Sequence, residues 1–210
     1  MADRCWALVP VKRRADCKSR LAGRLGAEAR LSLVRFMLEH VLGSLAAAPS
    51  IGRIAVVSPE RDNVPPEIAV LGDAGRGLNE ALNDAQRELL AQGASELVVL
   101  PGDLPLVTAE DIEALVRQGR QTGFALATDV AGTGTNALYL RPAAGFRFRF
   151  GPGSCRRHVA EAIRLGLRPV FVRARGLEFD VDATDDLIRL EQVRGGTAGL
   201  RPSLPLEAHG

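Results

Sequence analysis

Asp180 and Asp182 stand two residues apart in Phe179-Asp180-Val181-Asp182. Side chains alternate along an extended segment, so both carboxylates would face the same way. Two carboxylates held together repel unless one takes a proton or a cation lies between them. Hard oxygen ligands of this kind suit magnesium, typically shared with substrate phosphates. A plainer role is equally open, in which Asp182 helps to cap a helix beginning near Thr184. A third acid, Asp103, follows Pro101-Gly102 and precedes Leu104-Pro105. Gly102 would let a ligand approach the backbone closely, although Pro, Gly and Asp are also the residues of an ordinary turn.

Residues suited to anions lie elsewhere in the chain. Pro10-Val11-Lys12-Arg13 is followed by Lys18-Ser19-Arg20, either a phosphate-binding loop or a solvated basic one. Only two of the 27 basic residues are lysines, Lys12 and Lys18, and both fall in this stretch. Gly75-Arg76-Gly77-Leu78-Asn79 sits between a strand and a helix, where Asn79 and Asn83 share a helix face. They could read a nucleobase edge or pack the helix. Gly132-Thr133-Gly134-Thr135-Asn136 could form an oxyanion nest or a plain hairpin turn. Phe148-Arg149-Phe150-Gly151-Pro152-Gly153-Ser154 ends where a helix should begin, a place that favours anions. Arg147, Arg149, Arg156 and Arg157 make its vicinity positive. The three histidines, His40, His158 and His209, form no catalytic pattern.

The elements that must carry these residues follow from hydrophobic spacing. Trp6–Val9, Ile54–Val57, Ile68–Leu71 and Leu97–Leu100 are short apolar runs that predict strands. The continuous run at 97–100 suits a central parallel strand covered on both faces. Further strands are expected at Phe124–Thr128, Ala137–Leu140, Val170–Val172 and Phe179–Val181. Leu31, Val34, Leu38, Val41, Leu42 and Leu45 recur at helical steps. Helices are also expected after Gly77, after a Thr108 cap with Asp111 three residues on, after a Ser154 cap, and after a Thr184 cap. Alternating strands and helices predict a three-layer α/β domain with a mostly parallel mixed sheet over residues 1–194. Ligands of such folds bind at the carboxyl ends of the strands. Residues 195–210 read as a flexible tail.

Composition narrows the function classes. At 210 residues, 46% hydrophobic and 25% charged, the chain has material for a sizeable core. A net charge of +2 is too balanced for a nucleic-acid binder. No long apolar run suggests a membrane span or a signal peptide, and Cys5, Cys17 and Cys155 form neither a disulfide framework nor a zinc site. Cys155 reads as a packed thiol, and the expected compartment is the cytoplasm. No GxGxxG follows the first strand, which disfavours a dinucleotide-dependent oxidoreductase.

Taken in order, several motifs resemble one family. They are Pro-Val-Lys at 10–12, Lys-Ser-Arg-Leu at 18–21, Gly-Leu-Asn at 77–79 and Leu-Pro-Gly-Asp-Leu-Pro at 100–105. Gly-Thr-Gly-Thr-Asn-Ala-Leu at 132–138, Phe-Gly-Pro-Gly-Ser at 150–154 and Asp-Val-Asp at 180–182 complete the series. The chain resembles the 2-phospho-L-lactate guanylyltransferase family of coenzyme F420 biosynthesis, over roughly residues 5–193. Gly102 departs from the family's commoner alanine. The resemblance implies a Rossmann-like nucleotidyltransferase fold. It implies Mg2+ on Asp103, Asp180 and Asp182, and Lys12, with Lys18, on the triphosphate. It also implies a nucleotide site at Pro10, Val11, Gly77, Leu78, Asn79, Pro101 and Gly102. Thr135, Gly151 and Ser154 would hold the phosphate of the second substrate. The implied reaction moves GMP from GTP to 2-phospho-L-lactate, phosphoenolpyruvate or 3-phospho-D-glycerate. The arginine- and alanine-rich composition favours the latter two, as in a GC-rich bacterium. A homodimer is expected.

Two other enzyme classes and one non-enzyme compete with that implication. Molybdenum-cofactor and sugar-phosphate nucleotidyltransferases usually carry a glycine-rich, arginine-containing loop after the first strand, where Pro10-Val11-Lys12 stands here. A non-catalytic nucleotide binder would be expected to lack the three acids.

Overall fold

The structure, a computed structural model, describes residues 5–11, 18–61, 64–72, 75–141 and 143–195. Lys12, Cys17 and the expected tail from 196 onward lie outside the described residues. In chain order the first elements are β1 (Cys5–Pro10), α1 (Ala27–Ala47), β2 (Ile51–Ser58), β3 (Ala69–Gly72), α2 (Leu78–Ala91), β4 (Leu97–Val99) and α3 (Ala109–Thr122). There follow β5 (Gly123–Thr128), β6 (Thr135–Leu140), α4 (Ser154–Arg164), β7 (Arg168–Phe171), α5 (Arg175–Glu178) and α6 (Thr184–Gly195).

Among the described residues the strands form one seven-stranded sheet, ordered β3-β2-β1-β4-β6-β5-β7. β6 runs antiparallel to β4 and β5, and the other pairs are parallel. The expected mixed, mostly parallel sheet is therefore present. Alternation along β1 and β4 builds two apolar layers. Ala7, Val9 and Val98 meet Leu38, Val41, Ile112 and Leu115 from α1 and α3. Leu8, Leu97 and Val99 meet Leu82, Ala85 and Leu89 from α2 on the opposite face. Gly119, inside α3, is a contact surface rather than a helix breaker. A Cβ there would lie 2.0 Å from the Tyr139 ring, so the aromatic from β6 requires glycine.

The chain leaves β1 towards β2 and β3, then returns through α2 to β4 on the other side of β1. That reversal opens a crevice beyond the carboxyl ends of β1 and β4, the usual ligand position in open α/β sheets. A third apolar cluster closes one flank of this crevice. It joins Leu21, Leu33 and Met37 to Phe179, Val181, Leu187 and Leu190.

Three local expectations need correction. Phe179–Val181 is not a strand; it follows α5 as irregular extended chain, tied to the sheet region by Val181 N–H donating to the Asp103 carbonyl at 3.3 Å. Ser154 does not cap α4. Gly153, at φ 70°, is the cap, a left-handed position that favours glycine. Thr184 is the first residue of α6, and the Asp186 carboxylate accepts the Asp182 and Ala183 amides at 3.1 and 2.9 Å. The cap at Thr108 is present, with Thr108 and Asp111 each accepting the other's amide.

Candidate active site

A cavity of about 460 Å³ occupies the crevice. β1 delivers Pro10 and Val11 to its wall, and the turn after β4 delivers Pro101, Gly102 and Asp103. Leu78, at the start of α2, adds to the same wall. Asp180 and Asp182 line it because their neighbours are anchored. Phe179 and Val181 point into the third apolar cluster, which turns the intervening carboxylates towards the cavity. The period-two argument therefore works without a strand.

Lys18 joins two of the acids. Its Nζ donates to Asp103 Oδ2 at 2.6 Å and to Asp182 Oδ1 at 2.8 Å. The lysine side chain is only 9% exposed, so this ammonium is well sheltered from water. Burial alone would push it down, but Asp103 and Asp182 outweigh burial and hold it above its ordinary range. Its backbone adopts φ 51°, the one left-handed non-glycine among the described residues. Such a conformation costs on the order of 1 kcal/mol and persists where surrounding contacts hold it. Here the contacts are the two carboxylates.

Asp180 is left without the lysine. Burial first, then the nearby Asp103 and Asp182 charges, push its carboxyl up to about 6, against a hydrogen bond from Asn136 Nδ2 at 3.3 Å. Because Asp186 supplies the cap of α6, the Asp182 carboxylate is directed to Lys18 instead. Asp103 and Asp182 thus already converge on one cation, and Asp180 is short of positive charge. That donor set fits a hard divalent ion. Among the described residues no three acidic, histidine or cysteine side chains form a ready-made metal cage, so Lys18 holds the place between the acids.

Thr135, Asn136, Phe150 and Gly151 also line the cavity. Thr135 opens β6, and Gly151 lies at φ 116° in the loop before α4. Thr135 N–H donates to Ser154 Oγ at 2.9 Å. Ser154 is 1% exposed and stands behind Thr135 rather than on the cavity wall. Asn79 also stands behind the wall. It grips Phe150 from both sides, accepting from its N–H at 2.7 Å and donating to its carbonyl at 3.1 Å. Asn83 accepts from Phe148 N–H at 3.1 Å. Both asparagines thus hold the loop that carries Phe150 and Gly151. Gly77, the cap of α2 at φ 91°, likewise supports the site from outside the wall. Arg157 spends its guanidinium on the Arg149 and Pro152 carbonyls. Cys155 is buried, and burial, then Asp129, raises its thiol, consistent with a packed residue.

Residues 5–197 match the family described as Guanylyl transferase CofC like. The chain belongs to this family. It is 42% identical over 189 residues to the phosphoenolpyruvate guanylyltransferase of Sphaerobacter thermophilus, covering 88% of this chain and 91% of that one. It is 40% identical over 196 residues to the protein of the same name from Rubrobacter xylanophilus, covering 90% and 95%. Among solved structures, one from Desulfovibrio desulfuricans G20 superposes with a TM-score of 0.77 at 18% identity, over 94% of this chain and 90% of that one. A 4-diphosphocytidyl-2C-methyl-D-erythritol synthase gives 0.64 at 17% identity, over 92% and 99%. These two show the nucleotidyltransferase-like fold. The chain is thus a nucleotidyltransferase enzyme of the guanylyltransferase kind, acting on a nucleotide and a small phosphorylated substrate. Enzymes of this class generally use a divalent metal. No helix among the described residues is long and apolar enough to cross a membrane.

Of the family residues expected from sequence, the cavity wall brings together Pro10, Val11, Lys18, Leu78, Pro101 and Gly102 with Asp103, Thr135, Gly151, Asp180 and Asp182. Gly77, Asn79 and Ser154 support it from behind, and Lys12 lies outside the described residues. Sequence reasoning quoted Asn136 and Phe150 within candidate motifs without giving either a site role, and it missed the α1 residues Val34, Met37 and Leu38; all five are on the wall. Asn136 carried a signal, being a polar residue inside a strand that is buried throughout. The α1 residues carried none, because helical periodicity marks a buried stripe without saying what covers it.

Proposed function

We propose that this chain transfers GMP from GTP to the phosphate of phosphoenolpyruvate, releasing pyrophosphate, with Mg2+ as its metal and coenzyme F420 biosynthesis as its setting. One observation carries the reading: a single cavity is lined by Asp103, Asp180, Asp182 and Lys18 together with Thr135 and Gly151. The three acids suit a metal-bound triphosphate, and the Thr135 hydroxyl and the Gly151 backbone suit the phosphate of the acid. The names of the two relatives support phosphoenolpyruvate as that acid. A cytoplasmic location suits such an enzyme.

The reaction is attack by a phosphate oxygen of the acid on the α-phosphorus of GTP. A phosphate monoester loses its second proton near pH ~6, so the nucleophile is ionised at neutral pH and no general base is required. The obstacle is repulsion between two polyanions. Bound Mg2+ would neutralise triphosphate charge from Asp103, Asp180 and Asp182. Lys18 would add positive charge on the same side, and the family resemblance gives Lys12 to the triphosphate as well. Gly102 lets its turn sit close against Leu38, where a Cβ would lie 3.1 Å from Cδ1, and Asn79 fixes the loop that presents Gly151. Holding both reactants in register supplies much of the remaining acceleration.

The test is incubation with GTP, Mg2+ and, in separate tubes, phosphoenolpyruvate, 3-phospho-D-glycerate or 2-phospho-L-lactate, followed by mass spectrometry. The guanylylated phosphoenolpyruvate should dominate, and substitution of ATP or CTP for GTP should abolish product. Preferential product from another acid would overturn the choice of phosphoenolpyruvate.

A further inference from the structure

His158 lies one helical turn beyond Ser154, fully buried, and touches the cavity wall through Thr135. Its ring is wedged between Phe150, edge-on at 4.7 Å, and Phe146 at 5.8 Å. The two ring nitrogens have different partners. Nε2 accepts the Arg149 backbone N–H at 2.9 Å. A backbone amide can only donate, so Nε2 carries no proton and the single proton of the neutral ring sits on Nδ1. Nδ1 stands 3.0 Å from Thr135 Oγ1 and therefore donates to it.

The ring stays neutral under ordinary conditions. Burial, then the Arg157 charge, pushes the imidazole down to about 4, with Glu161 opposing. Glu161 is itself occupied, by Arg164 and by the Arg147 amide at 3.1 Å. Arg149 meets the ring through its backbone N–H, and the rings of Phe146 and Phe150 bring no charge. The direction of the hydrogen bonds is thus fixed from the Arg149 amide, through the imidazole, to the threonine oxygen. Thr135 Oγ1 accepts a hydrogen bond from behind, so its own hydroxyl hydrogen remains for a partner in the cavity that Thr135 lines.

We propose that His158 is a positioning residue for the second substrate: by donating to Thr135 Oγ1, it commits that hydroxyl to donate into the cavity and so selects an acceptor-only oxygen, that of a phosphate. The inference rests on the reaction proposed above and adds a residue that the motif series does not contain. It also explains why a histidine beside the reacting groups performs no acid–base step. Both of its nitrogens are engaged, one by the loop that carries Gly151 and one by Thr135. The same side chain therefore sets the position of the loop and the polarity of the hydroxyl.

Two measurements test it. Long-range ¹H–¹⁵N NMR of the full chain at pH 7 should show the His158 imidazole as the Nδ1–H tautomer, and the Nε2–H tautomer would overturn the proposal. This readout needs neither turnover nor a variant that folds. In steady-state assays, His158→Phe keeps an aromatic ring but loses both hydrogen bonds, whereas His158→Gln can retain one donor and one acceptor. His158→Phe should raise KM for phosphoenolpyruvate roughly tenfold or more, as expected for loss of a directed bond to a charged oxygen, with KM for GTP within about twofold. His158→Gln should recover most of that loss. An unchanged KM for the acid in His158→Phe, or equal rises for both substrates, would overturn the positioning role. Wild-type enzyme that guanylylates none of the acids would instead defeat the reaction itself, an outcome that the tautomer measurement distinguishes.

Discussion

β4 carries a carboxylate beyond each of its ends, and the two are treated in opposite ways. Glu96, just before the strand, is 3% exposed in its side chain and is gripped by two arginines. Arg120 reaches Oε2 at 2.9 and 3.0 Å through two nitrogens, and Arg141 reaches Oε1 at 3.2 Å. Asp103, just beyond the strand, is 29% exposed and shares a single lysine ammonium with Asp182. A guanidinium fork fixes its partner through several directed bonds, while an ammonium on a flexible stem is a compact charge that can be redirected. The amino end of the sheet is a closed ion cluster that holds structure together. The carboxyl end instead joins two of its acids through one redirectable ammonium and leaves Asp180 outside that pairing. The division of basic residues in the chain follows the same line, since Lys18, one of only two lysines among its 27 basic residues, is the cation at the carboxyl end.

The largest expected effect breaks the carboxyl end. Asp103→Ala or Asp182→Ala should lower GMP transfer on the order of 10³-fold or more while the protein stays folded, since the other acid still holds Lys18, read from product formation and thermal unfolding. Near-normal transfer by either variant would remove the metal assignment. The counterpart at the amino end should reverse the pattern. Arg120→Met leaves Glu96 buried with a weakened partner set and should cost about 3 kcal/mol in denaturant unfolding, while kcat of the folded enzyme stays unchanged.

These contrasts were unequally visible in the sequence. Pro101-Gly102-Asp103 marks a ligand-facing turn because it directly follows a continuous apolar strand, and the Asp180–Asp182 pair follows from alternation with Phe179 and Val181. The bridging role of Lys18 was hidden, because it depends on a left-handed backbone in a segment with no periodicity and on acids 85 and 164 residues away. The same holds for Asn79, whose partner Phe150 lies 71 residues on. Sequence spacing identified residues fit to touch a ligand, but not which would instead hold the loop behind them. Glu96, flanked by Ser95 and Leu97, gave no sign of its two arginine partners for the same reason.

A smaller effect concerns pH. His158 belongs to the carboxyl end but, like Glu96, is fully engaged, so it should behave as a structural group when titrated. Its folded value of about 4 lies below the ordinary 6.5, so the unfolded chain binds the proton first as pH falls. Its contribution is therefore complete above about 6.5 and is lost as pH falls towards 4, a change of about 3 kcal/mol. In His158→Gln this part of the pH dependence of unfolding should disappear. The smallest expected effect is on the bridging cation itself. Lys18→Arg keeps the charge but replaces the compact ammonium, and should slow transfer about tenfold while leaving the fold intact. Lys12→Arg should likewise impair transfer. Full activity in both arginine variants would erase the distinction between the two ends of β4.

Release of pyrophosphate from GTP tests the central claim most directly, measured with saturating phosphoenolpyruvate in the wild-type enzyme and in Asp103→Ala, each with and without Mg2+. The account predicts one pyrophosphate for each guanylylated acid, only in the wild-type enzyme with metal. Pyrophosphate release that persists without the acid, or that survives Asp103→Ala, would contradict it.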